Sequence, residues 1–119
     1  VGSSDLLTVE VGTRGAAVVV SVRGELDLAT VPILRDGLDS LGEVSAAPSP
    51  LVIDLTAVTF IGSAGLALLV EQHNKCKERN VPLALVAAGS VVPRAIQVTA
   101  LDQVFAVHES VDAAIAGAS

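Results

Sequence analysis

Apolar and polar residues alternate between Ala16 and Leu26. Val18, Val20 and Val22 fall on one side, and Val19, Ser21 and Arg23 on the other. A period of two predicts a strand with one face toward a core, weakened only at Val19. Thr8 to Val11 reads as the strand before it. Gly12-Thr13-Arg14-Gly15 between them reads as a hairpin turn, with Gly15 in a left-handed conformation. Ile33, Leu34, Leu38 and Leu41 then recur at helical spacing behind Pro32, which suits a first turn. Asp27 or Thr30 is placed to cap that helix. Small residues with Pro48 and Pro50 make Gly42 to Pro50 a loop.

Leu51 to Asp54 is apolar without alternation until its last residue, as expected for a strand covered on both faces. Leu55 to Ile61 reads as a bridge and Gly62-Ser63-Ala64-Gly65 as a tight turn. A long helix to Arg79 follows. Leu66, Leu69, Val70 and His73 mark its apolar face; Glu71, Lys75, Glu78 and Arg79 mark the opposite one, and Leu68 falls on that polar side. Leu83 to Val86 is a further buried-type strand, Pro93 to Val98 a short helix and Phe105 to Val107 a last strand. Ser110 caps a final helix over Val111 to Ala118. The order β-β-α-β-α-β-α-β-α predicts an α/β fold: a small mixed sheet of about 4–5 strands with about four helices packed mainly on one side. The strands 51–54 and 83–86 are expected to be parallel, joined by a right-handed crossover.

The chain has 119 residues, which suits one domain over residues 5–119. Val1-Gly2-Ser3-Ser4 reads as a disordered end or a cloning remnant outside it. Apolar residues are 51% of the chain and aromatics only 2%, so Val, Leu, Ile and Ala must fill the interior. The net charge of −6, with seven scattered Lys and Arg, argues against nucleic acid as a partner. The shortage of aromatic stacking surfaces points the same way. No apolar run is long enough to span a bilayer, so direct membrane contact is not expected. Cys76 is the single cysteine, which excludes an internal disulfide and fits a reducing, cytoplasmic setting. His73 and Cys76 share a helix face, but only His108 could join them, so packing is favoured over a metal site. Asp54 stands at the carboxyl end of its strand, a common ligand position in α/β sheets, although a structural role is favoured. No P-loop frame, nucleophile elbow or base–nucleophile pair is present. Neither an enzyme nor a cofactor is expected.

The helix start at Gly62–Gly65 offers unpaired backbone N–H groups and partial positive charge. Ser63 is most simply its N-cap, worth ~1 kcal/mol. Around this turn the chain resembles the STAS domain family, which includes bacterial anti-sigma factor antagonists. Three stretches carry the resemblance: Val22 to Thr30; Val52-Ile53-Asp54-Leu55 with Val58 to Ile61 and Ser63-Ala64-Gly65-Leu66; and Pro93 to Leu101 with Phe105. The resemblance implies a domain that binds an anti-sigma factor, a histidine-kinase-like protein, and so frees a sigma factor and regulates transcription indirectly. It also implies a phosphorylatable Ser or Thr just before the glycine of the helix start. Here that position is Ala64, which cannot accept phosphate, and Gly62 stands where an acidic residue is common.

Ser63 is the remaining phosphorylation candidate. Glu25, Asp27, Thr30, Gly62, Ser63, Ala64, Gly65 and Leu68 are the expected partner-binding residues, with Leu68 read as part of an exposed apolar patch. The competing expectation is an accessory subunit of a membrane transporter for lipids or anions, which would use a similar domain without phosphorylation. A homodimer is left open by the sequence.

Overall fold

The computed structural model describes residues 2–3, 6–44, 50–89 and 91–118. The strands are β1 (Gly2–Ser3), β2 (Leu7–Arg14), β3 (Ala17–Leu26), β4 (Leu51–Ile61), β5 (Leu83–Val86) and β6 (Val107–His108). The helices are α1 (Val31–Val44), α2 (Ser63–Glu78), α3 (Val91–Val98) and α4 (Val111–Ala118), with a 3-10 turn at Leu101–Gln103. The six strands lie in chain order, β1 to β6. β1–β2–β3 is antiparallel; β3–β4–β5–β6 is parallel. Each parallel crossover therefore steps the same way across the sheet, so crossovers of one hand carry α1, α2 and α3 to one face.

That face holds the main core. Val9, Val20, Val22, Ile53 and Leu55 of the sheet meet Leu34, Leu38, Leu69, Val92 and Ile96 of the helices. Among the described residues the other face is covered by α4, over the small cluster Ala17, Val52, Ala84, Val86 and Ala114. Val19 packs against this second cluster, which is why the alternation fails there. Ser110 caps α4 as its sequence predicts: its Oγ accepts the Ala113 N–H at 3.1 Å. Gly15 is left-handed, with φ 59°.

Several expectations are corrected. Gly2–Ser3, read as lying outside the domain, pairs with Val9 and Thr8; Val1 and Ser4 are outside the described residues. α1 runs on to Val44, into the stretch read as loop, whose residues 45–49 are also outside the description. Phe105 belongs to no strand. It is buried and meets the His73 ring edge-on, with centroids 5.6 Å apart.

The largest difference is the bridge over Leu55 to Ile61, which is strand. β4 pairs with β3 as far as Leu26↔Ile61. Between Ser21↔Asp54 and Arg23↔Ala57 it carries one extra residue, and another between Gly24↔Val58 and Glu25↔Phe60. Each bulge breaks the two-residue period, so the buried positions Ile53, Leu55, Val58 and Ile61 no longer alternate. Asp54 is therefore within the strand and not at its end. Its Oδ1 accepts the Thr56 N–H at 3.0 Å, just past Asp54↔Val86, the last pairing with β5.

Candidate docking rim at the sheet end

Two segments come together where β3 and β4 end. Gly62 donates its N–H to the Leu26 carbonyl at 3.0 Å, tying the turn after β4 to the end of β3. The turn after β3 is built by its own side chains. Asp27 Oδ1 accepts the N–H groups of Ala29 and Thr30 at 3.0 and 3.1 Å. Thr30 Oγ1 accepts the Asp27 N–H at 2.9 Å and donates to the Glu25 carbonyl at 2.8 Å. These closed local rings are what Asp and Thr provide in turns and at helix starts. They hold the backbone so that Leu28 points outward.

On the inner side of the rim the fit depends on glycine. A Cβ on Gly65 would lie 2.9 Å from both Ile61 Cγ1 and Leu26 Cγ, so only glycine lets the start of α2 approach the sheet this closely. Gly24 has φ 111°, and a Cβ there would collide with the Leu6 carbonyl oxygen. That oxygen instead accepts the Glu25 N–H at 2.8 Å, which brings Leu6 to the same end of the sheet.

The expected partner-binding residues divide into two groups. Glu25, Asp27, Gly62 and Ala64 are half-buried and Ser63 is exposed, all along this rim. Thr30, Gly65 and Leu68 are buried and cannot meet a partner directly. Thr30 positions the loop, and Gly65 permits the close approach of α2. Leu68 is 0% exposed and belongs to the main core. The helix face read as solvent-facing is turned toward α1. One and two turns beyond Leu68, Glu71 binds Arg35 at 3.1 Å and Lys75 binds Asp39 at 3.0 Å. Leu68 lies at the inner end of this row.

Ser63 is not the N-cap. Gly62 occupies that position, no side chain caps the helix, and Ser63 is its first residue. Its hydroxyl therefore stands exposed at the positive end of α2.

Sequence reasoning missed the apolar part of the rim. Leu28 is 82% and Phe60 49% exposed. Phe60 sits opposite Glu25 in the register, and its ring borders Gly62. The available signals were a leucine inside the polar Asp27–Thr30 turn and a phenylalanine just before the glycine turn. The rim thus offers the apolar side chains of Leu28 and Phe60, the Ser63 hydroxyl and the carboxylates of Glu25 and Asp27. This suits a polypeptide surface better than a reaction.

Elsewhere the chemistry is structural. The Lys75 ammonium beside Asp39 holds that carboxyl below its ordinary range, and Asp39 raises Lys75 in turn. Burial pushes the Cys76 thiol up, against a smaller opposing pull from Arg79, so it is a poor nucleophile. Among the described residues no group of three His, Cys, Asp or Glu is placed to hold a metal. None of the helices there is long and apolar enough to cross a membrane. A cleft of about 480 Å³ opens at the ends of β5 and β6, lined by residues including Ala87, Gly89, Ile96, His108 and Glu109. No rim residue lines it.

Comparison with known proteins agrees with this geometry. The STAS domain model matches residues 8–114. "Anti-sigma-F factor antagonist RsfB" of Mycobacterium tuberculosis is 39% identical over 114 residues, covering 95% of this chain and 90% of that protein. "Anti-sigma-F factor antagonist RsfA" of the same organism is 29% identical over 112 residues, covering 94% and 88%. The crystal structure of an anti-sigma factor antagonist from Mycobacterium paratuberculosis superposes with a TM-score of 0.81 at 37% identity, covering 99% of this chain and 98% of that one. With the sheet order, the glycine-dependent rim and these matches together, the chain belongs to the STAS domain family.

Proposed function

We propose that this protein is an anti-sigma factor antagonist. It acts in the cytoplasm and binds a kinase-type anti-sigma factor through the rim formed by Glu25 to Ala29 and Phe60 to Ala64. The observation that carries this reading is the exposure of Leu28 and Phe60 around a free helix start, in a chain whose relatives are named as such antagonists. Exposed apolar side chains that contribute little to folding are natural anchors for a partner. Glu25 and Asp27 add negative charge, which favours a partner surface with basic groups.

Ala64 leaves the usual acceptor position without a hydroxyl, so the protein is competent to bind without a phosphate switch there. Ser63 remains the modification candidate on the rim. A phosphate on it adds about −1.5 to −2 charges, which the helix end tolerates and a docked partner does not.

The test is capture from a native lysate followed by mass spectrometry, with a binding titration of the captured protein. A histidine-kinase-like anti-sigma factor is expected. Leu28→Asp and Phe60→Asp should each abolish or strongly weaken its binding while the melting temperature stays within about 2 °C of the parent, as for surface substitutions. Ser63→Asp should weaken it in the same titration. Capture of a nucleotide-binding transport subunit in its place, or full binding by both apolar variants, overturns the reading.

A further inference from the structure

We propose that the docking rim continues onto the sheet face opposite the main core, where Leu6 and Phe60 flank Glu25 and receive a basic amphipathic helix of the anti-sigma factor. The proposal rests on the function proposed above. At the ends of β2, β3 and β4, Leu7, Leu26 and Ile61 point into the main core. Side chains alternate along a strand, so the adjoining Leu6, Glu25 and Phe60 face the other way. They also stand abreast. The Glu25 N–H is donated to the Leu6 carbonyl at 2.8 Å, and Glu25 is the register partner of Phe60. Leu6 and Phe60 are each 49% exposed. On this face α4 packs around Ala17, Val52, Ala84 and Val86, toward the opposite ends of β3 and β4. β1 arrives through Gly2↔Val9 and Ser3↔Thr8, so the chain ahead of it runs along β2 away from Leu6.

Spacing and charge select the occupant. Neighbouring strands lie about 4.8 Å apart, so two strand spacings set Leu6 about 10 Å from Phe60. Same-face residues of an extended segment fall about 6.6 or 13 Å apart and miss this separation. Residues i and i+7 of an α-helix fall about 10.5 Å apart on one face and match it. A helix laid across the strand ends seats one apolar side chain against Leu6 and the other against Phe60. Its residue i+3 or i+4 then stands over Glu25. The Glu25 carboxylate has no ion pair among the described residues, and Asp27 lies beyond it on the rim. A Lys or Arg at that helix position is attracted there, and an acidic residue is repelled. The net charge of −6 favours a partner of the same basic character.

The test uses the full chain and the protein that it captures from lysate. The photo-crosslinking residue p-benzoylphenylalanine replaces Leu6 in one variant and, as a control, Glu10 farther along the same face of β2. The Leu6 position should crosslink and the Glu10 position should not. Mass spectrometry should place the crosslink in a helical segment with apolar residues seven apart and a Lys or Arg between them. In titration Leu6→Asp and Glu25→Lys should each raise Kd by about tenfold or more, with the melting temperature within about 2 °C of the parent. Reversing the partner's basic residue to Glu should restore binding to Glu25→Lys and weaken binding to the parent. Full binding by Leu6→Asp and Glu25→Lys, where Leu28→Asp and Phe60→Asp still lose it, overturns this proposal and leaves the rim reading standing. So does a crosslink to a segment without that spacing, or a charge reversal that fails to recover binding. Full binding by all four variants overturns both.

Discussion

Leu68 and Leu28 are the same residue type in opposite roles, and neighbours alone separate them. Leu68 lies at the inner end of a row completed by Glu71 and Lys75, whose charges pair with α1. Leu28 sits in a turn whose polar neighbours bond one another, which leaves the leucine outside. Leu68→Ala should therefore destabilise the fold by about 2–5 kcal/mol through lost burial and a residual cavity. Chemical denaturation would show this as a lower midpoint at an unchanged slope. The local turn was legible in the sequence because Asp27 and Thr30 are close along the chain and need only each other. The fate of Leu68 was not legible, because it depends on a helix some thirty residues away.

Among the elements, α1 and α2 are joined along their outer edge by Arg35–Glu71 and Asp39–Lys75, and the 3.6 Å contact Lys75–Glu71 within α2 links the two pairs. The pairs are partly exposed, so their share of stability is modest and salt-sensitive. Asp39 is depressed chiefly by its hydrogen bond to Lys75. A carboxylate held below its unfolded value stabilises the fold above the ordinary Asp range of about 3.9. That contribution is lost as pH falls through the folded value. Asp39→Asn should accordingly flatten part of the acid limb of stability below about pH 4, with little change in its shape near neutrality. Thermal melts across that range would check it. Among the strands, β4 shows where sequence periodicity fails. Its first four residues read correctly, while two bulges hid the remainder by shifting which side chains face inward.

At the level of the whole molecule the two faces of the sheet are unequal. Three helices build a deep core on one side, and α4 covers a thin layer of mostly small residues on the other. Fewer buried methyl groups hold α4, so it should open at a lower free energy than the centre of the sheet. Native-state hydrogen exchange should find the amides of Ala114 and Ile115 exchanging through local opening, while those of Val20 and Ile53 wait for global unfolding. Equal protection at both places would refute this.

The rim itself is set by main-chain bonds and by glycines that admit no side chain. Gly62 reaches the Leu26 carbonyl, and Gly65 seats α2 against Leu26 and Ile61. Leu28, Phe60 and Ser63 are thereby released from any duty to the interior. On the proposed reading of the rim, exchanging a few outward side chains would change the partner bound while the scaffold beneath keeps its stability.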